Sequence, residues 1–138
     1  MWQELAQGSQ FTYDDTEKFF VSNTAYILTG SNLKYILGYL NSKLNLISYV
    51  RWYCTILGSS GTRWLNQHVI NIPLPPITPS NESIVKQIEV LVDNILAAKK
   101  QNTQANTSHL EREIDSLVYK LYELTEEEVR IVEGYNKS

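Results

Sequence analysis

The prolines of this chain are confined to one short segment, at Pro73, Pro75, Pro76 and Pro79. Proline fixes φ and has no backbone N–H to donate, so such a cluster stops both helices and strands. We therefore expect a stiff connector between a region of residues 1–79 and a helical region of residues 80–138. A chain of 138 residues forms one ordinary hydrophobic core, so the second region should pack on the first or extend from it.

Before the connector, the spacing of hydrophobic residues changes at Gly30. Short runs of β-branched and aromatic residues precede this glycine and alternate with turn residues, which predicts a small mixed sheet. From Leu33 onward apolar residues recur every three or four positions, which predicts one helix over about 32–50, packed on the sheet. A flexible loop is expected at 58–62, and a strand at 63–72.

After the connector, apolar residues at helical spacing predict a helix of about 17 residues, capped by Ser80 or Asn81. A polar turn follows, and Ser108 with Glu111 then predicts a capping box at the start of a second helix. A further box, formed by Thr125 and Glu128, predicts a short last helix. The predicted class is therefore α/β (α+β): a small mixed sheet with a packed helix, followed by a C-terminal helical hairpin.

Charges are segregated along the sequence. The net charge is −3, yet residues 31–79 contain no Asp or Glu, and their basic residues are Lys34, Lys43, Arg51 and Arg63. This stretch is also rich in Tyr, Trp and amide side chains, and it lacks the groups that repel phosphate, which favours a nucleic-acid partner. The alternative is that the stretch is acid-free because it forms the core, where charges are scarce.

Signatures of catalysis are missing from the sequence. His68 and His109 have no Cys or carboxylate neighbours at metal-ligand spacing, and Cys54 has no second cysteine with which to pair. No glycine-rich phosphate loop occurs, and Ile72 interrupts the one segment that approaches the Asn-Pro-Pro motif of amino-methyltransferases. We therefore expect no metal, no bound cofactor and no enzymatic activity in this chain. No run approaches the roughly 18 apolar residues of a membrane span, so a cytoplasmic protein is expected.

The segment at 58–64 is the best candidate for DNA contact. Its glycines permit close approach of the backbone, and the hydroxyls of Ser59, Ser60 and Thr62 can bond phosphates or base edges. Arg63 supplies a planar fork that reads the O6 and N7 atoms of guanine or grips a phosphate. The alternative is an ordinary turn in which Trp64 lies in the core and Arg63 extends to solvent.

Several segments taken in order resemble one family, at residues 2–5, 20–28, 35–44, 61–64, 72–76 and 110–128. The most specific are the run Leu40-Asn41-Ser42-Lys43-Leu44 and the later pattern Ile-Asp…Val-Tyr…Leu-Tyr. Together they resemble the TaqI-like C-terminal specificity domain of adenine-N6 DNA methyltransferases and type IIG restriction-modification enzymes. One departure is Glu123, which stands where glycine is common in that family.

This resemblance implies a module that recognises sequence in double-stranded DNA, cut from a longer parent chain. The parent would carry an N-terminal methyltransferase that uses S-adenosylmethionine, with or without a nuclease. Together, the resemblance and the charge pattern predict that Lys34, Lys43 and Arg51 contact the DNA backbone. The residues expected nearer the base edges are Ser59, Ser60, Thr62, Arg63 and Asn66. The alternative function is a protein-interaction or oligomerisation module that acts through the C-terminal helices.

Overall fold

The computed structural model describes residues 1–16, 20–53 and 61–135. Within these ranges the strands are β1 (Trp2–Gln3), β2 (Leu5–Ala6), β3 (Ala25–Tyr26) and β4 (Thr62–Arg63). The helices are α1 (Leu33–Leu40), α2 (Lys43–Trp52), α3 (Asn66–Val69), α4 (Glu82–Gln101), α5 (Ser108–Leu121) and α6 (Glu126–Glu133). The predicted α+β class is confirmed.

In the described residues, the strands form two antiparallel pairs. β1 pairs with β3, with Trp2 opposite Tyr26, and β2 pairs with β4, with Leu5 opposite Arg63. The predicted strand at 63–72 is wrong beyond Arg63, because a turn of helix, α3, follows at Asn66. The N-terminal segment therefore pairs with two later parts of the chain through adjacent dipeptides.

The single helix predicted over 32–50 is two helices, because Asn41 and Ser42 interrupt it. The Asn41 side chain accepts the backbone N–H of Phe11 at 3.0 Å and donates to the Phe11 carbonyl at 2.9 Å. Ser42 has extended backbone angles and its hydroxyl accepts the N–H of Asn45, which makes it the N-cap of α2. Side-chain capping thus starts a new helix where the apolar periodicity continues without a break.

One hydrophobic core joins the two predicted regions. Tyr35 and Tyr39 of α1 pack with Ile88 of α4 and Val118 of α5, and all four residues are almost completely buried. Gly38 makes this packing possible, because a Cβ atom at that position would lie 2.7 Å from the Ile88 side chain. The helical region therefore packs on the first region and does not extend away from it.

The C-terminal helices begin close to the predicted positions. Asn81 is the N-cap residue of α4, but its side chain bonds Thr78 and the connector instead of the helix. The predicted box of Ser108 and Glu111 is wrong, since Thr107 is the N-cap and its hydroxyl donates to the Glu111 carboxylate without capping the helix backbone. The box of Thr125 and Glu128 is confirmed. None of the helices in the described ranges has both the length and the apolar character needed to cross a bilayer.

Candidate nucleic-acid interface

Tyr49 joins the end of α2 to β4 and α3. Its hydroxyl donates to the Arg63 carbonyl at 2.9 Å and accepts the backbone N–H of Leu65 at 3.0 Å. Its ring stacks on Trp64 with the centroids 4.0 Å apart, and both side chains are 1% exposed. One turn later, the Tyr53 ring stacks on His68 of α3 at 5.3 Å. These contacts hold α2, β4 and α3 together and so fix the positions from which their exposed side chains extend.

We use the name α2–β4–α3 surface for the exposed polar and aromatic side chains that these three elements carry, namely Arg51, Trp52, Arg63, Asn66 and Gln67. Trp52 is 77% exposed, which is unusual for an indole. Each member of the surface donates hydrogen bonds, and none carries a negative charge. Such a set suits a partner that presents acceptors and phosphates.

Arg51 and Arg63 differ in their charge environment. Arg51 lies in the last turn of α2 and forms no ion pair with any residue in the described ranges. The Arg63 guanidinium lies 2.6 Å from the Glu4 carboxylate, between Nη2 and Oε1. Glu4 sits far away in sequence, and no local pattern marks it as a partner of Arg63. Arg51 is thus the cation of this surface that is available to a phosphate.

Lys34 and Lys43 do not lie on the α2–β4–α3 surface. The ammonium group of Lys34 pairs with Asp93 of α4 at 2.6 Å, and this hydrogen bond raises the pKa of Lys34. The ammonium group of Lys43 pairs with Glu133 of α6 at 2.6 Å, and this hydrogen bond lowers the pKa of Glu133. The structure therefore ties these two lysines to the C-terminal helices.

The remaining predicted contact residues divide into three cases. Asn66 is exposed at the first position of α3. Thr62 is 1% exposed, on the strand that pairs with β2, so its hydroxyl lies inside the protein. Ser59 and Ser60 lie outside the described residues, as does most of the predicted loop at 58–62. Arg63 and Asn66 are therefore the members of this predicted set that the structure places at the protein surface.

Residues that carry the family resemblance have structural partners. Asp115 is buried, and its carboxylate accepts the backbone N–H of Lys43 at 2.8 Å, which caps the start of α2 from α5. Tyr122 stacks on Tyr39 at 5.8 Å, and its hydroxyl donates to the carbonyl of Pro73 in the connector. The motif residues of α5 thus fix the position of α2 and of the connector. They support the α2–β4–α3 surface without belonging to it.

Replacing Asp115 with asparagine is expected to remove one contribution to the free energy of unfolding that falls as pH rises from about 4 to about 6. Burial raises the pKa of Asp115 to about 6, from an ordinary value of 3.8. Between these values the folded state binds more protons than the unfolded chain, so this group makes stability fall as pH rises from about 4 to about 6. The fall should be on the order of 1–3 kcal/mol. Asparagine can still accept the Lys43 N–H but does not titrate.

The measurement is urea unfolding of the wild type and Asp115→Asn at several pH values between 4 and 7. Glu128 and Glu133 have lowered pKa values and produce the opposite slope, so the difference between the two proteins is the informative quantity. A difference that stays constant across this range would contradict the prediction.

The described residues contain a further groove but no cluster of metal-binding side chains. No group of three or more His, Cys, Asp or Glu side chains is placed to hold a metal ion there. A groove of about 990 Å³ lies between α4 and α5, where Glu82, Lys86, Arg112 and Glu113 mix both charges. Val90 lines this groove and is 58% exposed. This groove is where the alternative function, a protein-interaction module, would act.

Comparison with known proteins adds no relative. No protein-family model matches the chain, and no curated protein or solved structure is significantly similar to it. The resemblance to the TaqI-like specificity domain therefore stays a prediction based on the sequence motifs.

Proposed function

We propose that this chain is the target-recognition part of a DNA restriction-modification enzyme, and that it binds duplex DNA in a sequence-specific manner. The parent polypeptide would act in the cytoplasm, where its methyltransferase part would bind S-adenosylmethionine and methylate adenine. Whether a nuclease also belongs to the parent does not affect the proposal. No residue of this chain is proposed to bind the cofactor or to take part in bond making or breaking.

The observation that carries the proposal is the α2–β4–α3 surface. Arg51 offers a cation without a counter-ion in the described residues, and Asn66 and Gln67 offer amides that can pair with base edges. Trp52 adds an exposed aromatic ring at the end of α2. A surface that combines cations for phosphates with amides for bases is what direct readout of DNA requires.

The paired lysines limit how strongly such a module would bind phosphates. Each neutralised phosphate contributes about −0.9 to the slope of log affinity against log salt concentration. Lys34 and Lys43 are engaged by Asp93 and Glu133, so we assign phosphate contact to Arg51. Arg63, which is paired with Glu4, adds at most one further charged contact to DNA. The expected slope is then only about −1 to −2. Tight binding would need further contacts from the parent chain.

The proposal is tested by titrating the protein onto a randomised duplex pool, sequencing the retained DNA, and measuring the salt dependence on the best sequence. Enrichment of one motif with a negative salt slope supports the proposal. The absence of any enriched motif overturns it. Binding of a protein partner through the groove between α4 and α5, with little dependence on salt, would support the alternative function.

Arg51→Ala is expected to weaken binding to every duplex by a similar factor and to make the salt slope less negative by about one unit, because it removes one phosphate contact. The matched control is Arg130→Ala, since Arg130 is also exposed but lies on α6. Electrophoretic mobility shifts at several salt concentrations measure both variants. Equal losses in both would show that only overall charge matters, which would contradict the role of Arg51.

A further inference from the structure

Glu4 occupies a fixed position at the junction of the two strand pairs. Its backbone N–H donates to the Thr24 carbonyl at 3.0 Å, and its carbonyl accepts the Trp64 N–H at 2.6 Å. It therefore lies between β1 and β2, where both strand pairs hold the backbone. The Glu4 side chain is 22% exposed, far less than the Arg63 side chain at 54%. The Glu4 carboxylate therefore has a fixed position, to which the more exposed Arg63 side chain can bind.

The carboxylate of Glu4 engages one edge of the Arg63 guanidinium. Its Oε1 atom accepts from Nε of Arg63 at 2.7 Å and lies 2.6 Å from Nη2. Its Oε2 atom accepts the Tyr26 hydroxyl at 3.3 Å, which restrains rotation of the carboxylate. A guanidinium has five N–H donors in one plane, so three remain for another acceptor. The carboxylate thus sets the plane of the guanidinium and leaves its outer edge exposed.

This ion pair adds only modestly to the stability of the fold. Although Glu4 is 22% exposed, the Arg63 side chain is 54% exposed, so water screens its charge, and ordering the long arginine side chain costs rotamer freedom. This ordering favours recognition, because an arginine that is already oriented loses less conformational entropy when it binds a ligand. The geometry therefore favours a role in binding over a role in stability.

We propose that Glu4 is a positioning residue, which holds the Arg63 guanidinium in the orientation that reads a guanine base in the DNA major groove. This inference rests on the proposed function and deepens it, because it names a base and the residue that reads it. The three remaining N–H donors of Arg63 include the two that a bidentate contact to guanine O6 and N7 requires. Glu4 itself touches no DNA in this arrangement.

A competing arrangement makes a different prediction from the same contact. If Glu4 served only to neutralise Arg63, its removal would free a cation and strengthen binding to every duplex alike. If Glu4 orients Arg63, its removal should weaken binding to the preferred duplex and strengthen binding to unrelated sequence, because a negative charge near the phosphates is also lost. The ratio of the two affinities therefore separates the two roles.

The experiment compares Glu4→Gln with Glu82→Gln, measured on the motif selected by the wild type and on a scrambled duplex of equal length. Both changes remove one negative charge and break an ion pair, since Glu4 pairs with Arg63, and Glu82 pairs with Lys86 on α4. We expect Glu4→Gln to reduce the affinity ratio by about fivefold or more, and Glu82→Gln to leave it unchanged. An unchanged ratio in a folded Glu4→Gln variant would overturn the inference.

A second variant and a spectroscopic signal keep the test independent of the folding of Glu4→Gln. Arg63→Lys retains the charge but loses the planar fork, so it should reduce the ratio to a similar extent, and a wild-type ratio would overturn the inference. In NMR spectra the Nε–H of Arg63 should exchange with solvent more slowly than that of Arg51, which forms no ion pair with the part of the chain that the structure describes. Equal exchange rates would also overturn the inference, even if the wild type selects a DNA motif. If the wild type selects none, both the proposed function and this inference fail.

Discussion

Replacing Trp64 with alanine is expected to lower the free energy of unfolding by about 3–5 kcal/mol, because it empties the centre of the first region. The Trp64 ring stacks on Tyr49 at 4.0 Å and meets the edge of Phe11 at 5.0 Å. Its indole N–H also donates to the Gly8 carbonyl at 2.9 Å, so the variant leaves that acceptor without its partner. Urea or thermal unfolding followed by circular dichroism measures the loss.

The matched control for this prediction is Trp52→Ala. Trp52 is 77% exposed, whereas Trp64 is 1% exposed, so the same chemical change removes little buried surface. Trp52→Ala should alter the free energy of unfolding by less than about 0.5 kcal/mol while reducing DNA affinity. Similar destabilisation by both variants would contradict the assignment of Trp64 to the core and of Trp52 to the α2–β4–α3 surface.

Local signals in the sequence predicted most of the helices. Apolar spacing located α4 and α5, and the box of Thr125 and Glu128 predicted the start of α6, because both patterns depend on residues a few positions apart. The break at Asn41 and Ser42 was not predicted. Its cause includes the pairing of Asn41 with Phe11, 30 residues earlier, and spacing within one segment carries no information about such a contact.

The charge pattern shows more clearly that spacing in the sequence does not reveal contacts between distant residues. Residues 31–79 are free of carboxylates in sequence, but the fold supplies them from elsewhere. Lys43 meets Glu133 across 90 residues, and Arg63 meets Glu4 across 59. Segregation of charge along a chain therefore does not imply segregation in space. What remains of the predicted cationic face is Arg51 with the exposed edge of Arg63.

Glu123 illustrates a departure from the family pattern that the structure explains in part. Its φ is 53°, in the left-handed region, at the end of α5. The N–H of the following residue, Leu124, bonds back to the Tyr119 carbonyl at 3.0 Å, as in the common glycine-terminated helix end. Glycine adopts this conformation without steric cost, which accounts for its frequency there in the family that the sequence resembles. Glu123 thus forms, at the cost of some strain, the turn that glycine forms readily.

Replacing Gly61 with alanine is expected to cost about 2–4 kcal/mol of folding free energy, through backbone strain and a steric clash. The φ of Gly61 is 105°, and a Cβ atom there would lie 2.5 Å from the carbonyl oxygen of Ala6. That carbonyl belongs to β2, which pairs with β4 directly after Gly61. The position of the added Cβ is fixed by the backbone of residue 61, and the atom it meets is a backbone oxygen. The chain can therefore relieve the clash only by separating the two strands.

The control for Gly61→Ala is Gly30→Ala, where φ is also positive, at 146°, but no atom lies within 4 Å of the added Cβ. Gly30→Ala should therefore cost only about 1 kcal/mol from strain, and the difference between the variants isolates the close approach of β2 and β4. Because this strand pair also brings Arg63 to Glu4, Gly61→Ala should abolish the slow exchange of the Arg63 Nε–H, while Gly30→Ala preserves it. Equal stability losses together with a preserved Arg63 signal would show that β4 does not depend on Gly61 to reach β2.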